Sequence, residues 1–129
     1  MSTVRIFLHV ISICGWVGGQ LLMVALVPVL RKISPDAPRL AAERFGRFAW
    51  TFLVLALITG VWNIFAVELS TKDSAYQMTL FVKLLLVATS GASALIHSRT
   101  KSVGLRATTG ALGLLAALGA LLSGVLLIS

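Results

Sequence analysis

Apolar residues dominate four stretches of this chain, 6–27, 48–67, 76–96 and 105–128. Each is close to the roughly 20 residues that an α-helix needs to cross a bilayer. Polar and charged residues gather between the stretches, so the pattern predicts four spanning helices. Pro28 is expected to end the first. Ser34-Pro35-Asp36-Ala37-Pro38 reads as a turn, because proline removes a backbone donor and restricts the residue before it. The connections 68–75 and 98–104 are short, which predicts antiparallel neighbours. The expected fold is all-α integral membrane: a four-transmembrane-helix up-down antiparallel bundle, one domain over residues 1–129. The first stretch is longer than the apolar core of a signal peptide and shows no small-x-small cleavage pattern before Pro28, so it is expected to be retained.

Composition agrees with this class. The chain is 58% hydrophobic and 12% charged, with a mean hydropathy of +1.00, whereas about 25% of an average soluble protein is charged. The net charge of +7 is unevenly placed. Arg31, Lys32, Arg39, Arg44, Arg47, Arg99, Lys101 and Arg106 flank the first and third connections, opposed only by Asp36 and Glu43. The other side carries Arg5, Lys72 and Lys83 against Glu68 and Asp73. Lysine and arginine near helix ends mark the cytoplasmic side, so both termini are predicted outside. Membrane lipids are the expected partners of this charge, and nucleic acid is not.

Against this apolar background the polar residues inside the helices stand out. A histidine in a spanning segment is costly to keep, which makes His9 a candidate functional residue. At 100° per residue His9, Trp16, Gln20 and Met23 fall along one line of the first helix, beside the small residues Ser12, Gly15 and Gly19. Thr59 and Asn63 lie one turn apart on the second helix, near the depth of His9, and can bond across the bundle. Lys83 lies about two turns into the third helix, on a face continued by Ser90, Ala94 and His97; it is either a snorkelling lysine or a functional one. His97 is roughly 21 Å further along that axis at 1.5 Å per residue, too far to share a ligand with His9, and reads as a cytoplasmic-surface histidine. The fourth helix shows a stripe of Gly110, Gly113, Ala117, Ala120 and Gly124, a packing edge for a neighbouring helix or for a homo-oligomer. The single cysteine, Cys14, excludes an intrachain disulfide and reads as a packing residue.

The ordered set of His9 with Trp16-Val17-Gly18-Gly19, then Arg44-Phe45 leading to Leu57-Ile58-Thr59-Gly60, then Lys83-Leu84-Leu85-Leu86 ending near Arg99 resembles the copper-resistance D (CopD) family of bacterial inner-membrane proteins. The resemblance implies a four-helix unit of the cytoplasmic membrane that binds copper or helps to move it from the periplasmic side, with a periplasmic copper-binding protein as a partner. Imidazole suits Cu(II) and thioether suits Cu(I), so His9 and Met78 are the expected metal ligands, with Met1 and Glu68 at the same end of the helices. An alternative resemblance, to the four-helix HemJ-type protoporphyrinogen oxidases, implies haem b, for which His9 and Met78 are an admissible axial pair. A structural or accessory membrane subunit is the third reading. The carboxylates Asp36, Glu43, Glu68 and Asp73 all lie in connections or at helix ends, so hydrolytic catalysis is not expected.

Overall fold

The computed structural model describes residues 2–129. It contains four helices long and apolar enough to cross a membrane: α1 (Ser2–Ile33), α2 (Ala37–Phe65), α3 (Ser74–Arg99) and α4 (Val103–Leu126). Among the described residues there is no strand. The protein is therefore an all-α multi-pass membrane protein.

Two helix boundaries differ from the hydropathy pattern. Pro28 does not end α1, which continues to Ile33 with the proline inside it. Within a membrane the lost backbone bond can be re-satisfied locally, and apolar Val29, Leu30 and Ile33 carry the helix on. The second helix starts at Ala37, well before its apolar stretch. Pro38 sits in the first turn, where its missing N–H costs nothing. One turn on, Arg39 donates to Glu43 at 2.8 Å, and the Arg44 guanidinium lies 5.3 Å from the centre of the Phe48 ring. The basic segment is thus a helical extension that projects beyond the apolar span.

The chain divides into two compact units, the first ending at Val67 and the second covering Glu68–Ser129. Each is an antiparallel helical hairpin. In the first, His9 meets Thr59, Gly15 lies under Phe52 and Gly19 under Phe45, so positions fall along α2 as they rise along α1. In the second, Lys83 meets Gly124, Leu86 meets Gly119, Ser93 meets Gly113 and His97 meets Gly110. Asp73 caps α3 by accepting from the Tyr76 N–H at 2.8 Å, and Ser102 caps α4 through the Leu105 N–H.

The buried apolar side chains are few and mostly small, Ala49, Ala116, Ala117 and Ala120 among them, with Trp16, Val17 and Leu53. Large ones such as Phe7, Leu22, Phe65 and Ile128 are exposed. Lipid tails are as apolar as leucine, so burying such groups gains little; close packing and hydrogen bonds hold the helices together instead. The buried polar residues Ser12, Thr59, Ser90, Ser93, Thr109 and Ser123 fit that account. The small-residue stripe of α4 is occupied within its own hairpin, where Gly110, Gly113 and Gly124 face α3 side chains.

Candidate functional site

The first hairpin carries an ordered polar layer. Thr59 is 1% exposed, and its hydroxyl donates to the Leu55 carbonyl one turn back at 2.7 Å. A threonine hydroxyl has one proton, so it meets the His9 ring as an acceptor, and His9 Nδ1, 2.9 Å away, is the donor. In the neutral imidazole that direction of the bond corresponds to the tautomer protonated on Nδ1. Gly60 leaves the ring its space: a Cβ there would stand 3.3 Å from His9 Cε1. One residue clamps the imidazole and the next makes room for it.

Below this layer α1 is not a regular helix. Cys14–Gly18 forms a π-helical turn, wider than the α-helix around it. Such turns concentrate at functional positions in helices. The wide turn shifts every later residue in phase, so His9, Trp16, Gln20 and Met23 do not share the single line that a constant 100° per residue gives. Trp16 is buried and pairs with Trp50, ring centres 5.8 Å apart and planes tilted by 54°. The Gln20 amide donates to the Trp16 carbonyl at 3.1 Å, so it serves the backbone of its own helix at the irregular turn. Gly15 and Gly19 lie under the faces of Phe52 and Phe45, so aromatic rings rather than a second backbone fill the edge that those glycines open. Cys14 is exposed, not packed, because it stands on the opposite side of the wide turn from Trp16 and Val17.

Asn63 lies one turn beyond Thr59, part-exposed near the end of α2. Arg5 stands one turn from His9 on α1; the sequence reading used it only as a topological charge. Its signal was the spacing, since Arg5, His9 and Ser12 repeat at helical intervals on one face.

The second hairpin orders its polar residues differently. Ser90 is buried and donates to the Gly113 carbonyl at 3.0 Å, a bond between α3 and α4. The Lys83 ammonium rests against Gly124, where an added Cβ would stand 3.1 Å from Nζ. Gly124 belongs to the last turn of α4, whose carbonyls form the negative end of the helix and favour a cation. His97 is exposed and donates from Nδ1 to the Arg106 carbonyl at 2.7 Å, while Arg106 donates to the Thr100 carbonyl. It closes the turn between the helices. Met78 is 63% exposed in the first turns of α3, and Met1 lies outside the described residues.

Among the described residues no group of three or more His, Cys, Asp and Glu side chains could hold a metal ion. No family model, curated protein or solved structure matches this chain.

Proposed function

We propose that this chain is a multi-pass protein of the bacterial cytoplasmic membrane that handles copper, with His9 as the ligand that receives the ion from the outer side. The observation that carries the reading is the His9–Thr59 bond. Ligating histidines fix one ring nitrogen on a partner so that the other presents its lone pair, and Thr59 supplies that partner here. A single imidazole suits transfer more than storage, because an ion held by few protein ligands leaves readily. Further ligands would come from solvent or from a periplasmic copper-binding partner. The charge asymmetry supports an orientation with both termini outside, which puts His9 near the external leaflet.

Haem b is the second reading, favoured by the same geometry because haem iron takes one axial imidazole. The two separate in one preparation. Full-length protein purified in detergent is dialysed against copper and its visible spectrum recorded. The copper reading expects a colourless protein that gains about one copper per chain in wild type and loses at least tenfold in affinity in His9→Ala. A Soret band that disappears in His9→Ala replaces copper with haem. Neither copper nor a Soret band removes the ligand role and leaves a scaffold.

A further inference from the structure

One donor of Arg5 is left unsatisfied among the described residues. Its Nε is shut off from solvent and meets no hydrogen-bond acceptor among the described residues. A guanidinium N–H left without an acceptor is a strongly unfavourable arrangement. The register of the hairpin shows what lies beside it. The His9–Thr59 bond fixes α1 against α2, and one turn outward from that layer brings Arg5 on one helix level with Asn63 on the other. The Asn63 side chain makes no hydrogen bond among the described residues either. Trp62 and Phe65, 40% and 85% exposed, stand beside Asn63 at the end of α2, the kind of aromatic rim found at headgroup level. Asp36 and Glu43 lie at the far end of this hairpin beside Arg39, and among the described residues no ion pair joins Arg5 to a carboxylate.

We propose that Arg5 and Asn63 form a binding site for a phosphate group, supplied either by the headgroup of an anionic lipid or by free phosphate. The guanidinium presents parallel N–H donors in a rigid fork that matches two phosphate oxygens, and the Asn63 amide adds a third donor from the opposite helix. A rotation of the flexible arginine stem carries Nε–H to the interface. The bound phosphate lies one turn outside His9 and closes the polar column from the outer side. This site stands independently of the copper reading, since it uses neither His9 nor a metal.

The test uses the full chain with its arginine Nε positions labelled with ¹⁵N, in maltoside micelles that carry no phosphate. The Arg5 resonance is assigned by its loss in Arg5→Lys. Short-chain phosphatidylglycerol, short-chain phosphatidylcholine and inorganic phosphate are titrated separately. A saturable shift of Arg5 Nε–H with phosphatidylglycerol, weakened about tenfold in Asn63→Leu, is the expected result. An equal shift with inorganic phosphate identifies free phosphate as a ligand of the same site, and a shift with the anionic lipid alone identifies the headgroup. A silent Arg5 resonance in all three titrations, with shifts only at the basic-side residues Arg44 and Arg47, overturns the proposal. So does a response unchanged in Asn63→Leu. No copper is added, so failure here leaves the His9 reading standing, and loss of that reading leaves this one.

Discussion

The two hairpins solve the same packing problem in opposite ways. In the second, small residues meet at the centre, where Ser93 lies on Gly113 and Ser90 donates to the Gly113 carbonyl, while flexible or polar side chains, Leu86, Lys83 and His97, lie over the flanking glycines. In the first, glycines meet aromatic rings: Phe45 and Phe52 cover Gly19 and Gly15, Trp16 pairs with Trp50, and α1 widens into a π-helical turn. Close backbone approach favours a rigid scaffold. Ring-filled packing with an irregular turn leaves a histidine clamped on one nitrogen. On the proposed reading the first hairpin carries the ligand and the second serves as its scaffold.

The contrast is sharpest at the glycines. A methyl at Gly15 would overlap the Phe52 ring, which must shift to admit it. Gly15→Ala is expected to cost about 1–3 kcal/mol of stability in denaturant unfolding followed by circular dichroism, with recovery in the double variant carrying Phe52→Leu. No recovery would mean that the ring is not what fills the site. Next in size, Thr59→Val keeps the shape but removes the acceptor for His9 Nδ1, and ligand affinity should fall about 10–100-fold with helicity unchanged. In the other hairpin Ser90→Ala removes one interhelical bond, with an expected loss of about 0.6–1 kcal/mol in the same unfolding assay. Smallest is Gly124→Ala. The atom its methyl meets is the tip of Lys83, a flexible side chain that can move, so the change is expected to stay within about 0.5 kcal/mol. A large loss there would mean that the lysine is held in place for a purpose.

Hydropathy alone carried the four helices, because an apolar stretch of spanning length has few other structures open to it in lipid. It also placed Thr59 near the depth of His9, since both follow from counting turns from the helix ends. The boundaries at Pro28 and Ala37 were hidden because residues beside a membrane keep helix-forming contacts that hydropathy does not score, such as Arg39 with Glu43. The π-helical turn was equally hidden: a constant rotation per residue cannot register a turn that breaks it, and Gln20 was aligned with His9 for that reason. The position of Arg5 required the register between helices, which only a contact such as His9 with Thr59 fixes.

The orientation of the imidazole is the point on which the ligand reading rests, and it can be observed directly. Histidine ¹⁵N spectra of the full chain in micelles, recorded above the pH at which a neutral imidazole prevails, report which ring nitrogen of His9 carries the proton. Protonated Nδ1 and a lone-pair Nε2, with the preference lost in Thr59→Val, is the predicted result. Protonated Nε2 in the wild-type protein would contradict it.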